Sequence, residues 1–496
     1  LMFSVLYYRI FSMQIVNRSW YRFRSQNNCV WVEKICSLRG KICDRNGVVM
    51  AEQRRAFHLF MDPRELKMDT CTLADRLRSY YKLIREKRVK KERKKLLALL
   101  EKEKDLLYEE PIVQRLTLLL GESPGYVVDR MVRVLKYTIR KWAPEPAFYD
   151  IGYQNMVKVE MFPEQYPGCT IKADAIRSYP LKDVAAHVLG YMGTINEGEI
   201  RSLKEKGVVK GLLKLYEEEK EYFTKTADLG SGLVGRAGIE RICNNRLRAK
   251  IGQRVMEREL DGEISIYCQE KPRKGEDMIL TLDVRLQRAV EDAMEGYVGA
   301  VVVMDPNNGD VLAMASLPDY DPNALVPPVD SLDIQRTMKD PKYPLMNRAI
   351  QNVYPPGSLF KIVTAVGALE EGAISPNTTY ECTGSLKAGK YSFGCWNKWG
   401  HGTVNVEEAI KGSCNVFFMR AGRKMGIRKL VEYSRMFGLG KETGIELPYE
   451  KDGLIPTPEW KKKTLGTSWY PGDTYMMSVE QGQLRCTPLQ MALLGG

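Results

Sequence analysis

Two short stretches hold residues whose types and spacing could support acyl-transfer chemistry. Ser358 and Lys361 stand three residues apart in Tyr354-Pro355-Pro356-Gly357-Ser358-Leu359-Phe360-Lys361, and Ser413-Cys414-Asn415 begins fifty-five residues beyond Ser358. A serine hydroxyl becomes a usable nucleophile only when a neighbouring group takes its proton. A lysine amine can be that group when burial or nearby positive charge lowers its pKa. Two prolines and a glycine end an extended segment before Ser358, and an amphipathic run follows at 362–369. The serine is therefore expected at a helix start, with Lys361 one turn on along the same face. Free N–H groups and the positive end of the helix dipole stabilise developing negative charge at such a position. Taken alone, Ser-x-x-Lys reads better as a helix cap followed by a surface lysine than as a catalytic pair.

A second constellation lies between these motifs. Cys382, Cys395, His401 and Cys414 have spacings of 13, 6 and 13. Three thiolates and one imidazole make a closed tetrahedral zinc set. A Cys382–Cys395 disulfide or simple buried thiols are the alternatives. Cysteines 29, 36, 43, 71, 169, 243, 268 and 486 show no ligand spacing and read as core or free thiols. The two remaining histidines, His58 and His187, lie on apolar, strand-like stretches and read as structural.

These residues need elements to hold them. The chain has 496 residues, so about three domains are expected at roughly 150 residues each. A hydrophobic fraction of 44% and a charged fraction of 28% exclude a disordered chain. A mean hydropathy of −0.33 excludes a polytopic membrane protein. Eleven cysteines are too few for a disulfide scaffold, and three histidines leave little room for a histidine-based centre. The net charge is +13, and residues 82–95 alone carry nine Lys/Arg against two Glu. The remainder is only mildly basic, which excludes a domain-wide nucleic-acid footprint. The run 82–110 reads as a charged helix with a solvated face, or else a contact for anionic lipid or an acidic partner.

Residues 1–16 are apolar apart from Ser4, Arg9, Ser12 and Gln14, too short a stretch to span a bilayer. They read as a signal core, an interfacial helix, or the end of a longer span, and 18–24 then turns basic and aromatic as at a membrane exit. Residues 1–24 are accordingly expected to be the remnant of an N-terminal membrane anchor. Residues 39–50 read as strand, tight turn and strand, with Asn46-Gly47 supplying the positive φ angles of the turn. A helical, charge-rich insertion is expected at about 66–160. The glycine-rich stretch 230–235 lacks a Lys-Ser/Thr ending and a preceding buried strand, so it is not a phosphate loop. Near residue 275 a second domain begins: strand 278–282, amphipathic helix 283–296, strand 299–305, a turn at 307–309 and a hairpin partner at 311–316. The expected class is α+β. A β-rich pedestal with a helical insertion (30–275) precedes a domain of antiparallel sheet with helices packed on it (276–496). No internal repeat is present.

Ser-x-x-Lys followed by Ser-x-Asn belongs to the penicillin-recognising enzyme set. From residue 39 to residue 491 the chain resembles a class B penicillin-binding protein, a peptidoglycan transpeptidase. The passages 39–51, 185–193, 235–240, 281–287, 300–315, 347–361 and 472–489 match that family in order. Trp396-Asn397-Lys398-Trp399-Gly400-His401-Gly402 and Gly472-Asp473-Thr474 resemble its elongation-type branch, penicillin-binding protein 2. The residues before the pedestal in this sequence do not read as a glycosyltransferase module, so class B is expected rather than the bifunctional class A.

The resemblance implies that 276–496 is a penicillin-binding transpeptidase domain and that 30–275 is a non-catalytic, dimerisation-type pedestal. It implies that Ser358 attacks a D-Ala-D-Ala stem peptide, Lys361 takes its proton, Ser413 relays a proton to the leaving amine, and Asn415 positions the lysine and the substrate. Gly357, Asp473, Thr474, Gln481 and Gly482 are then substrate contacts, and Cys382, Cys395, His401 and Cys414 a structural zinc site. The implied partners are stem peptides on lipid-linked precursor glycan, β-lactams, the elongation glycosyltransferase, shape-determining proteins and the membrane, with no nucleic acid. The implied location is a bacterial inner membrane, with a single N-terminal anchor and the catalytic domain in the periplasm. Two departures stand out. The family's Lys-Thr/Ser-Gly strand, expected after the helix containing 487–490, is not found before Gly496, so the chain is expected to be truncated and inactive alone. Glu480 stands where relatives carry glycine. A β-lactam sensor or β-lactamase, and a catalytically inactive cell-wall scaffold, are the alternative functions.

Overall fold

The computed structural model describes residues 2–16, 30–35, 37–62, 98, 104–141, 146–194, 233–250, 252–258, 264–326, 337–479 and 481–496. The basic run 82–95, glycines 230 and 232 and Glu480 lie outside the described residues. The chain divides into two compact units, one of Gln53–Ser178 and one of Leu1–Glu52 with Tyr179–Gly496.

In the smaller unit the strand Val49–Met61 runs antiparallel to Pro146–Phe148, with Leu59 opposite Phe148, and also pairs with Cys169–Ser178. Helices Pro111–Leu120 and Pro124–Lys141 both start on proline, whose missing N–H is no loss in a first turn. Gly121 ends the first of them at φ 69, the left-handed conformation that favours glycine there. The apolar stripe of these helices (Ile112, Val113, Leu116, Val127, Val128, Met131, Leu135) packs on Leu59, Leu107 and Phe148. His58 lies on the strand as expected, and its Nδ1 accepts the Asp150 N–H at 3.1 Å, a structural bond. Between helices Pro124–Lys141 and Tyr153–Met161 the chain forms the short strand Pro146–Phe148.

In the larger unit, Ile42–Cys43 and the start of Val49–Met61 flank the Asn46-Gly47 turn. Gly47 takes φ 84, and the Asp44 carboxylate accepts the N–H groups of Asn46 and Val48, both at 2.8 Å. Met278–Ile279 pairs parallel with Ile42–Cys43. Arg39 is buried and meets the fully buried Glu240 at 2.6 Å, while its Nη1 donates to Asn244 Oδ1 at 3.0 Å. Gly190 and Gly238 let two backbones touch: a Cβ on Gly190 would overlap the Ala237 carbonyl. His187 was expected on a strand but sits on the short helix Ala186–Leu189, closed by Gly190. The apolar run is followed by glycine after only four residues, so its length could not separate strand from helical turn. His187 Nε2 lies 2.7 Å from the Pro344 carbonyl and its ring meets the edge of Tyr320, which makes it structural.

The second half of this unit begins with the helix Val284–Ala293, capped by the Asp283 carboxylate. Gly299–Met304 and Val311–Leu317 form the antiparallel pair, and the helix is tied to it by Gln287, which bonds both the N–H and the carbonyl of Met314. Helices Phe360–Glu370, Asn415–Met425, Ile427–Met436, Pro471–Ser478 and Pro488–Gly495 follow. The architecture is the expected α+β, strand-rich at first and then helices with an antiparallel pair. Among the described residues no helix is long and apolar enough to cross a membrane, and the N-terminal helix Met2–Phe11 has ten residues.

Breaking a buried ion pair leaves one charge stranded, which costs about 3–5 kcal/mol. Glu240→Ala is therefore expected to lower unfolding stability by that amount in urea titrations, while Arg246→Ala, whose Glu276 pair is exposed on both sides, moves it by less than about 1 kcal/mol.

Candidate active site

The approach to Ser358 is held from the side: Tyr354 and Cys486 exchange both backbone hydrogen bonds, at 2.8 and 2.9 Å. Pro355 and Pro356 follow, and Gly357 turns the chain at φ 65. Ser358 lies in a 3₁₀ turn, Gly357–Leu359, that feeds directly into the helix Phe360–Glu370. Its hydroxyl is exposed, while Lys361, one turn on, is buried at 3% exposure.

Lys361 Nζ is surrounded by oxygen. It lies 2.7 Å from Asn415 Oδ1, 2.8 Å from Ser413 Oγ, 2.9 Å from the Ser413 carbonyl and 3.3 Å from Ser358 Oγ. Ser358 Oγ and Ser413 Oγ are themselves 2.8 Å apart. All four partners are neutral, so nothing among them compensates a positive charge, and burial lowers the amine's pKa from its usual 10.5. A depressed amine can accept a proton from a hydroxyl. The four residues expected to act together are thus in one hydrogen-bonded quartet.

Ser413 owes its place to the end of the helix Val406–Lys411. Asn405 and Glu408 form a capping box at its start. At its end, the Ser413 N–H bonds the Ile410 carbonyl at 3.0 Å and the Cys414 N–H bonds the Ala409 carbonyl at 2.8 Å. This pair of bonds is the Schellman motif, whose next-to-last residue is left-handed and usually glycine. Ser413 fills that position at φ 49. The serine is thus held in a conformation that costs an L-residue about 1–2 kcal/mol. Asn415 then starts the helix Asn415–Met425, and its Nδ2 donates to the Gly394 carbonyl at 3.3 Å. A Cβ on Gly422 would overlap Ser478, and Thr364 Oγ1 donates to the Ser478 carbonyl at 2.9 Å. These contacts lock the two motif-bearing helices against Pro471–Ser478.

Cys382, Cys395, His401 and Cys414 converge as well: one ligand atom from each lies within 4.8 Å of the others. The thiols of Cys382 and Cys395 are both free, and each Sγ is 3.6 Å from His401 Nδ1. Burial pushes the Cys414 thiol up to about 12. Burial also opposes ionisation of Cys382, yet His401 and the N–H groups of Gly384 and His401 hold its thiol below the usual range. Cys43, Cys169, Cys243 and Cys486 are in no disulfide among the described residues.

The other candidates do not join the quartet. The segment 471–474 begins a helix, because Pro471 fits a first turn and Asp473 caps it, accepting the Tyr470 N–H at 2.7 Å. Asp473 also pairs with Lys461 at 2.6 Å. Thr474 is buried, and its hydroxyl accepts the Trp469 indole N–H at 2.9 Å. Gln481 is exposed, and the Gly482 carbonyl accepts from Arg485 at 3.1 Å. The Trp396 indole N–H donates to the Gly412 carbonyl beside Ser413, and the Gly394 carbonyl accepts from the Asn415 side chain; the sequence singled out Trp396 only within a family-like passage, since bonds to backbone carbonyls leave no pattern in residue type.

Two family models match the chain: a penicillin-binding protein dimerisation domain over residues 34–280 and a penicillin binding protein transpeptidase domain over 299–494. The peptidoglycan D,D-transpeptidase MrdA of Escherichia coli K12 is 32% identical over 498 residues, covering 99% of this chain and 69% of that protein. A solved complex of penicillin-binding protein 2 with MreC from Helicobacter pylori aligns with a TM-score of 0.70 at 27% identity, over 93% of this chain and 76% of the other. A peptidoglycan synthase complex that coordinates polymerization and crosslinking aligns with a TM-score of 0.65 at 27% identity, over 99% of this chain and 74% of the other.

The left-handed Ser413 makes a testable pair. Ser413→Gly and Ser413→Ala both lose the hydroxyl, but only glycine relieves φ 49. Urea unfolding is expected to rank the glycine variant more stable than the alanine variant by about 1 kcal/mol.

Proposed function

The chain belongs to the penicillin-binding protein family of D,D-transpeptidases, and from that premise we infer that it cross-links peptidoglycan during cell elongation through a serine acyl-enzyme. The observation that carries the mechanism is the contact of Ser358 Oγ with both Ser413 Oγ, at 2.8 Å, and Lys361 Nζ, at 3.3 Å. Ser358 Oγ attacks the carbonyl between the two D-alanines of a stem peptide. The C–O bond forms, the C–N bond breaks, and the hydroxyl proton passes to Lys361. The two 2.8 Å contacts of Ser413 Oγ make it a bridge between nucleophile and amine. The proton returns through Ser413 to the leaving D-alanine amine. An amine of a second stem peptide then attacks the ester, gives up its proton by the same route and frees Ser358. Asn415 holds Lys361 by its Oδ1. The Ser358 N–H, in the first turn before the helix, supplies one donor for the developing oxyanion, worth roughly 3–4 kcal/mol. A β-lactam carbonyl enters the same attack and leaves a lasting ester. Gly357, Asp473, Thr474, Gln481 and Gly482 are proposed to shape the cleft wall rather than to move protons.

We extend to this chain a structural zinc ion held by Cys382, Cys395, His401 and Cys414. A tetrahedral zinc with bonds of about 2.3 Å to sulfur and about 2.05 Å to nitrogen separates those atoms by about 3.6 Å. That is the distance of Cys382 and Cys395 Sγ from His401 Nδ1. The ion's charge would offset the burial that opposes ionisation of Cys382 and Cys414. It would tie the segment 382–401 to Cys414, the residue between Ser413 and Asn415.

The partners of these relatives suit this reading. The Helicobacter pylori protein binds MreC, and the synthase complex couples crosslinking to polymerization. This chain is proposed to meet a shape-determining protein and a glycosyltransferase that supplies nascent glycan from a lipid-linked precursor, on the periplasmic side of a bacterial inner membrane. The helix Met2–Phe11 leaves Phe3, Leu6, Tyr7 and Tyr8 exposed, as a membrane-facing end would.

Intact mass of the full-length protein after β-lactam treatment is expected to rise by one drug, persist for hours and show no rise in Ser358→Ala; rapid loss of the adduct would point to a β-lactamase, and its absence would sink the enzymatic reading. The rate of adduct formation is expected to climb with pH and level off below 10.5, because burial lowers the Lys361 pKa and the neutral amine is the base. Elemental analysis is expected to give one zinc per chain, lost in Cys382→Ala/Cys395→Ala, with a lower melting temperature after chelation; metal-free protein with an unchanged melting temperature would exclude the ion.

A further inference from the structure

We propose that Trp396 is a positioning residue for the acylation step, acting on Ser413 through the Gly412 carbonyl. The inference rests on the acyl-transfer reading above. The Trp396 indole N–H donates to the Gly412 carbonyl at 3.0 Å, although 65% of the residue is exposed. The Gly412 carbonyl lies in the peptide plane between Gly412 and Ser413. Rotation of that plane about the Ser413 N–Cα bond is the φ angle of Ser413. The Ser413 N–H, in the same plane, bonds the Ile410 carbonyl at 3.0 Å, and the indole bond holds the plane's other polar atom, so the two together keep φ at 49°, in a region an L-residue leaves readily. Lys361 Nζ holds the plane on the other side, through the Ser413 carbonyl at 2.9 Å. With both planes pinned, Ser413 Oγ stays 2.8 Å from Ser358 Oγ and 2.8 Å from Lys361 Nζ.

Two further contacts make this a grip rather than a chance cap. The Trp396 ring meets the edge of His401 at 5.4 Å, and a Cβ on Gly412 would stand 3.2 Å from His401 Cδ2. The indole is thus braced on one side, and a side chain at Gly412 would crowd His401 and the Glu408 carbonyl. Two residues before Trp396, the Gly394 carbonyl accepts from Asn415 Nδ2 at 3.3 Å. The segment 394–396 therefore holds the Ser413 motif from both flanks. Relaxation of φ would carry the hydroxyl away from the nucleophile and lengthen the proton route without disturbing Ser358 itself.

The test is a double-mutant cycle on the acylation rate of full-length protein with a fluorescent β-lactam. Trp396→Phe keeps an aromatic ring for His401 and loses the donor together with the five-membered ring that carries it. Substitution by β-(3-benzothienyl)alanine, which replaces the N–H by sulfur, is the second variant should the phenylalanine protein fold poorly. One neutral hydrogen bond lost predicts acylation roughly three- to tenfold slower at saturating drug, with half-saturation unchanged. In a Ser413→Ala background the same change is expected to have no further effect, since the hydroxyl it positions is gone. Equal rates for wild type and Trp396→Phe, or the same fold loss in both backgrounds, would overturn the inference and leave Trp396 as a general structural residue. A wild-type protein that never acylates would instead sink the acyl-transfer reading itself, so the two failures are distinguishable.

Discussion

The site depends on one lysine amino group kept from solvent among four neutral oxygens. Lys361 Nζ touches Ser358, Ser413 by two atoms, and Asn415, and no carboxylate is among these partners. An ammonium placed there would be poorly solvated, so burial favours the neutral amine that proton abstraction needs. The surrounding architecture can be understood as what it takes to bring those oxygens to one nitrogen. Ser358 comes from the turn before one helix, Ser413 from the left-handed end of another, and Asn415 from the first residue of a third.

Backbone conformation and chemistry pull in opposite directions at Ser413. The helix end asks for glycine, whereas the proton route asks for a hydroxyl. The conflict is contained because every polar group of the turn is satisfied: the N–H groups of Gly412, Ser413 and Cys414 by the helix, the Gly412 carbonyl by Trp396 and the Ser413 carbonyl by Lys361. Strain of this kind persists only where the neighbours over-determine it.

What could be seen in the sequence follows from the range of each interaction. Ser358 and Lys361 are three residues apart on a helical repeat, so their adjacency is local and legible, as are the Asn46-Gly47 turn and the strand pair at 299–317. The meeting of Lys361 with Ser413, 52 residues on, has no periodic signature, and family resemblance rather than spacing anticipated it. The convergence of Cys382, Cys395, His401 and Cys414 was legible because those residue types are rare and share one chemistry. His187 misled because a short apolar run beside glycine fits strand and helical turn alike, and tertiary packing decides. Trp396 was invisible as a brace because its partner is a backbone carbonyl, which every residue carries.

Gly422 lies against Ser478 with no room for a methyl group, and Thr364 bonds the Ser478 carbonyl beside it. Three helices are thereby fixed to one another before any substrate arrives. The hydrogen bonds of the quartet form with the fold, so the ordering entropy of these groups is met by folding rather than at each turnover. A molecule built this way selects its substrates at the entrance. Chemistry runs on whatever acyl group reaches the serine in register, and a strained lactam that fits the cleft meets the same ready machinery as the natural peptide.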